Sequence, residues 1–86
     1  MSNPLRNLLN RLLWDRNINP EDYVITFRSR GFEGDKESLK GNSIVKVTKD
    51  FVVFLTKDGL KHVPMHRVIL VYNRKSGEVE YYNPRA

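Results

Sequence analysis

At 86 residues the chain is too short for two ordinary domains, and its 40% hydrophobic content, with four Phe, four Tyr and one Trp, supports a packed core rather than a disordered polymer. It has no cysteine, which excludes a disulfide framework and a thiolate metal site and fits a reducing, cytoplasmic setting. Fifteen basic against ten acidic side chains give a net charge of +5, which points to an anionic partner, nucleic acid first.

The start "MSNPLRNLLNRLLW" interleaves its apolar residues with Arg6, Asn7, Asn10 and Arg11, unlike the unbroken apolar run of a signal peptide. No stretch approaches the roughly 20 apolar residues of a membrane helix, so no membrane partner is expected. The first element is a helix over residues 4–13. Leu5, Leu8, Leu9, Leu12 and Leu13 follow the i, i+3, i+4, i+7, i+8 spacing that gathers side chains into one stripe. Asn3 suits the N-cap and Pro4 the first helical position, where a missing N–H goes unused in any case. The stripe is expected to pack on a sheet, with Trp14 following it into the core.

The stretch "WDRNINPEDY" is rich in Asn, Asp and Pro and reads as a connection. Tyr23, Ile25 and Phe27 then alternate with Val24, Thr26 and Arg28, which is the period of a strand. Residues 29–42 hold three glycines, mixed charge and no period, and are expected to form the longest loop, with one short turn of helix at most. From residue 43 to 82 the pattern is β. Strands are expected at residues 43–48 and 51–56 around Lys49-Asp50, at 60–63 after Lys57-Asp58-Gly59, and at 67–73 and 78–82 around "RKSG". The tail "NPRA" is expected to fray. "FVVFL" (Phe51 to Leu55) and "VILV" (Val68 to Val71) are apolar on both faces, so both are expected to be central and covered on two sides. One helix covers only one face of a flat sheet. The expected fold is therefore a single α+β domain over residues 1–86. Its N-terminal helix packs on a curled, mainly antiparallel sheet of about five or six strands that approaches a barrel, the leucine stripe closing one opening.

Chemistry concentrates in two basic stretches. "VPMHRVIL" sets His66 and Arg67 at the mouth of an apolar run. Pro64 fixes its own φ and biases Val63 toward extended backbone, so the chain feeding the pair is stiff. An arginine fork matches two phosphate oxygens, and a histidine donates one or two hydrogen bonds to the same anion. The alternative is a pair that merely faces water. In "RSRGFEGDK", Arg28 and Arg30 share one strand face and Gly31 lets the backbone approach an anion closely; a charged loop mouth is the plainer alternative. No dinucleotide-binding or P-loop glycine pattern is present. Tyr72, Tyr81, Tyr82, Phe32 and Trp14 offer rings for stacking a base, although most are expected in the core. The surplus charge sits at the two ends of the chain: residues 1–30 hold five basic and three acidic side chains (+2), residues 31–60 five of each, and residues 61–86 five and two (+3).

His62 and His66 are four apart, an interval that grips a metal on a helix, but Pro64 lies between them among strand formers. No metal site and no cofactor are expected. Nor is any catalytic residue, since no Cys exists and no Ser, His and acid fall in a nucleophile pattern.

Taken in order, "NPLRNLLNRLLWD", a tyrosine-led strand ending in "RG", "KGNSIVKV", "FVVFL" and "VPMHRVILV" resemble the small, largely archaeal uncharacterised protein family 0248, also called domain of unknown function 504, in the RNA cyclic-group end recognition domain superfamily. The resemblance covers nearly the whole chain. Its most specific motif, I/V-P-x-H-R-I/V, is matched by Val63, Pro64, His66, Arg67 and Val68, with Met65 where an aromatic is more usual; loss of that ring bears on base stacking. The resemblance implies binding of RNA ends that carry a 2′,3′-cyclic phosphate, beside an RNA-processing enzyme partner, and singles out Arg30, Gly31, His66 and Arg67. With Arg28 and Tyr72 these are the expected ligand-binding residues of a non-catalytic RNA-end or phosphate-binding module, a monomer or weak homodimer. The alternatives are a protein-interaction adaptor or homodimeric scaffold joined by the edge "GEVEYYN", and a minimal phosphodiesterase using His62 and His66.

Overall fold

The computed structural model describes residues 3–30 and 33–86. Helix α1 (Pro4–Trp14) precedes seven strands: β1 (Tyr23–Arg28), β2 (Lys36–Lys40), β3 (Ile44–Val47), β4 (Phe51–Thr56), β5 (Gly59–Pro64), β6 (Val68–Asn73) and β7 (Glu78–Tyr82). They form two antiparallel sheets, ordered β2-β1-β6-β7 and β3-β4-β5. The α+β class holds; the barrel does not. The chain passes between the sheets at two short 3₁₀ turns, Gly41–Ser43 and Met65–Arg67. Among the described residues no backbone ladder joins the edge strands β2 and β5, and a side-chain ion pair, Lys61 to Glu37 at 2.8 Å, spans that seam.

The Asn3 side chain accepts the N–H groups of Leu5 and Arg6 at 3.0 and 3.2 Å, which satisfies two donors that the first helical turn leaves without partners. Leu5, Leu8, Leu9 and Leu12 are buried, Leu13 partly so, and α1 packs on β3 and the Gly41–Ser43 turn. Trp14 departs from expectation: it is 76% exposed. It lies nine residues beyond Leu5, which at about 100° per residue turns it to the opposite side of the helix. No helix among the described residues is long and apolar enough to cross a membrane.

Inside, Tyr23, Ile25 and Phe27 of β1 face Val52 and Phe54 of β4 and Val63 of β5, with Val68 and Val71 of β6 completing the core. The rings of Phe27 and Phe54 stack between the sheets at 5.6 Å and 22°. Val52, Val53 and Phe54 are buried in succession, as are Val68 and Ile69, so β4 is covered on both faces at its centre and β6 at its start. The cover on β4 is short, because Phe51 and Leu55 are 41% and 55% exposed.

Two other expectations are corrected. The loop at residues 29–42 contains β2, whose only apolar residue is Leu39, so no alternation marks it. Its order comes from pairing with β1, including a hydroxyl hydrogen bond between Thr26 and Ser38 at 2.8 Å. The tail is held rather than frayed. Asn83 N–H donates to the Ile69 carbonyl at 2.7 Å, and Arg85 N–H to the Asn83 side-chain oxygen at 3.1 Å.

Gly41 is buried where α1, the turn at Pro20 and β1 meet, and a Cβ there would lie 2.6 Å from the Pro20 carbonyl oxygen. That oxygen belongs to backbone and cannot swing aside. Gly41→Ala is expected to lower unfolding free energy by about 1–3 kcal/mol, measured by urea denaturation. A second expectation concerns alkaline pH. Burial pushes the Tyr23 phenol above its ordinary value near 10, and its hydrogen bond with Glu80 raises it further, while Asn73 and Arg11 oppose. The folded state thus holds this proton more tightly than the unfolded chain. The associated stability is complete below the unfolded phenol's value and is lost as pH rises through the higher folded one. Near-ultraviolet titration is expected to show one phenol ionising later than its fellows, and Tyr23→Phe is expected to abolish that late step and flatten the alkaline loss of stability.

Candidate functional site

Three segments meet at one end of the four-stranded sheet: the end of β1, the Met65–Arg67 turn before β6, and the tail after β7. Strand register brings them together. Phe27 pairs with Val68, and both are buried, so alternation turns Arg28, the last residue of β1, to the exposed face, while the Met65–Arg67 turn delivers the exposed Arg67 to the same cleft. Across β6, Leu70 pairs with Tyr82, and the Asn83–Ile69 hydrogen bond keeps the tail beside the start of β6. The Asx turn at Asn83 then sets Arg85 at the rim.

The turn that carries His66 is anchored from beneath. Pro64 sits at φ −58° and ψ 138°, and the Val68 N–H donates to the Met65 carbonyl. Met65 N–H donates to the Asp50 carbonyl at 2.9 Å, and the Met65 side chain is buried in the core. Where the related motif has an aromatic, this chain therefore has a residue buried in the core. His66 and Arg67 are exposed.

These segments enclose an open cleft of about 460 Å³, lined among others by Arg28, Arg30, Asp35, His66, Arg67 and Arg85. Four arginines and one histidine thus share the lining with Asp35 and with Ala86, the last residue of the chain. Ser29 N–H donates to the Asp35 carbonyl at 2.9 Å, which closes the loop between β1 and β2. Arg28 Nε donates to the Ala86 carbonyl oxygen, tying the tail to β1. No polar or charged residue among those described is buried, so the cleft acts through exposed side chains whose fields are screened within about 8–10 Å at ordinary ionic strength.

A second cleft, of about 430 Å³, shares Arg28, Ser29, Arg30 and Arg67 with the first and continues along β5 past His62 and Leu60. The two histidines thus open on different clefts. Among the described residues no three His, Cys, Asp or Glu side chains group to hold a metal ion.

Of the expected site residues, Arg28, Arg30, His66 and Arg67 converge. Gly31 lies outside the described residues, as does the candidate stacking ring Phe32. Tyr72 is not brought in. It pairs with Val24 and Val79, is half-buried, lines neither cleft, and stands four residues along β6 from Val68, roughly 13 Å away. Sequence reasoning missed Arg85 and Asp35. The Asn-Pro pair at Asn83 is a turn signal that marks an ordered tail; Asp35, at a positive φ of 55°, offered none.

The profile of the MJ1316 RNA cyclic group end recognition domain matches residues 2–82. The UPF0248 protein MMP0286 of Methanococcus maripaludis is 40% identical over 77 residues, covering 90% of this chain and 95% of that protein. A UPF0248 protein of Methanococcus vannielii is 39% identical over 77 residues, with 90% and 88% covered. UPF0248 protein MJ1316 of Methanocaldococcus jannaschii is 25% identical over the same length, with 90% of each covered. No solved structure matches the chain significantly. A profile that spans almost every residue, joined by relatives aligned nearly end to end, means that the chain belongs to the family of the MJ1316 RNA cyclic group end recognition domain and of the UPF0248 proteins.

Proposed function

We propose that the chain is a non-catalytic module that binds phosphate-bearing RNA ends, 2′,3′-cyclic phosphate ends in particular. The observation that carries this is the convergence of Arg30, His66 and Arg67, with Arg28 and Arg85, on one cleft. The family's description as an RNA cyclic-group end recognition domain supports the same ligand. A cyclic phosphate has one negative charge and two free oxygens, which suits one arginine fork and one imidazole donor.

Such contacts give modest affinity. Each charge-assisted hydrogen bond contributes about 1.5–3 kcal/mol, and association costs about 4–15 kcal/mol. Three or four exposed contacts therefore correspond to a Kd on the order of micromolar or weaker. A module this weak gains from being tethered beside an RNA-processing enzyme, where effective concentration replaces affinity.

The test is a titration of cyclic-phosphate-ended and hydroxyl-ended oligoribonucleotides, followed on the backbone amides by NMR. Shifts at Arg30, His66 and Arg67 are expected with the cyclic end and not with the hydroxyl end, and the RNA is expected to be recovered unchanged. Arg67→Ala is expected to weaken binding roughly 10- to 150-fold, and Arg67→Lys to restore little, because an ammonium lacks the planar fork. Negligible shifts with both ends would overturn the proposal, as would undiminished binding by Arg67→Ala.

A further inference from the structure

The seam at which the two sheets fail to join is continuous with the end cleft. The end cleft shares Arg28, Ser29, Arg30 and Arg67 with the cleft along β5. That cleft in turn shares Leu60 and Lys61 with a third, of about 410 Å³, between β2 and β5. One groove therefore leads away from His66 along the open edge of β5.

Its lining changes along the way. Next to the end cleft it offers His62 and the 62%-exposed Leu60 over a floor that includes Phe27. His62 pairs with Val53 and Leu60 with Leu55, so His62, Leu60, Leu55 and Phe51 share the outer face of the three-stranded sheet. The Phe51 and His62 rings meet edge to face at 6.5 Å, leaving ring surface beside the groove. Farther on, Lys57 and Lys61 face Glu37 and Asp58, and Lys61 is paired with Glu37, so the positive excess ends there.

Resting on the end-binding function above, we propose that this groove is the track for the nucleotides on the 5′ side of the terminal phosphate, with His62 and Leu60 as the platform on which their bases stack. Single-stranded RNA is the occupant that fits: a basic cleft at one end, rings and exposed apolar surface beside it, and direct continuity with the phosphate position. From Leu60 to Pro64 the strand spans roughly 13 Å, room for about two to four nucleotides, the larger figure at the stacked rise of about 3.4 Å per base. Affinity gained with length stops where the charge balances at Lys57 and Asp58.

The experiment compares a nucleoside 2′,3′-cyclic phosphate with oligoribonucleotides of increasing length bearing the same end, on the full chain. The oligomers are expected to bind roughly 5- to 150-fold tighter per stacked base. Their salt dependence is expected to steepen by about 0.7 in log–log slope for each added phosphate that reaches an arginine or lysine, with a plateau by about four nucleotides. His62→Ala and Leu60→Ser, both at exposed positions, are expected to remove the length gain and leave binding of the cyclic mononucleotide unchanged. Length-independent affinity, or a gain that survives both substitutions, overturns the track while the end site stands. Failure of mononucleotide and oligomers alike overturns the end site and the track with it. A concentration-dependent dimer by light scattering, dissociated by Leu60→Ser, would show the seam to be a self-interface and overturn the track.

Discussion

The stacking of Phe27 on Phe54 is the contact on which the molecule's arrangement turns. It joins β1 of one sheet to β4 of the other at the centre of the core, where both rings are fully buried. Burial of two phenyl groups contributes several kcal/mol to a domain whose total stability is of order 5–15 kcal/mol. Its geometric consequence matters as much. Because strand side chains alternate, seating Phe27 inward obliges Arg28 to point outward, and pairing Phe27 with Val68 fixes where the turn carrying Arg67 meets that strand end. The positive cleft thus depends on core register. A slip of one residue would send Arg28 into the core and Phe27 into water.

The same ring links the core to the seam. Lys61 Nζ stands 5.8 Å from the centre of Phe27 and 2.8 Å from Glu37, so an aromatic face and a carboxylate hold one ammonium between the edges of the two sheets. Side chains here do what backbone pairing does in a barrel. An ion pair with partly exposed members adds little stability, but it spans the gap without filling it. A ladder between β2 and β5 would merge the two sheets into one and remove the groove, whereas the observed bridge leaves an open strand edge lined by cationic and apolar groups.

Much of this was legible in the sequence, and the exceptions share a cause. The leucine stripe, the alternation at Tyr23 to Phe27 and the apolar runs "FVVFL" and "VILV" each carry their burial pattern in their own residues, and helix, strands and core follow from them. Strand β2 does not: "KESLK" becomes a strand only because β1 offers it an edge. Trp14 misled because hydrophobicity alone suggested burial, while the 100° step of the helix turned it outward. The barrel failed for a similar reason, since closure depends on whether two edges far apart in sequence align. At the site, Arg28, Arg30, His66 and Arg67 were legible as a set because "RSR" and "HR" fall at strand ends. Tyr72 was included on residue type alone, which carries no position. Arg85 was lost with the tail, whose order depends on the Ile69 carbonyl fourteen residues before Asn83.

A cleft whose charge comes mainly from exposed arginines and a histidine cannot be very selective by itself. Selectivity against the wrong ligand grows when mismatched polar groups are left stranded away from water, and no described polar residue here is buried. Chloride, nucleotides and any RNA phosphate compete for such a surface on nearly equal terms, each weakened by salt. Discrimination must then come from several weak contacts made at once in a fixed arrangement. The rigid pieces suit this role: a 3₁₀ turn pinned by Met65 and Asp50, a strand end set by register, and a tail held by Asn83. If RNA follows the proposed track, the groove would let length contribute where charge alone cannot, because a free nucleotide would reach only the arginines while a chain would also lie along β5. That added affinity would arise on one side of the end cleft alone, the side on which the unjoined seam opens.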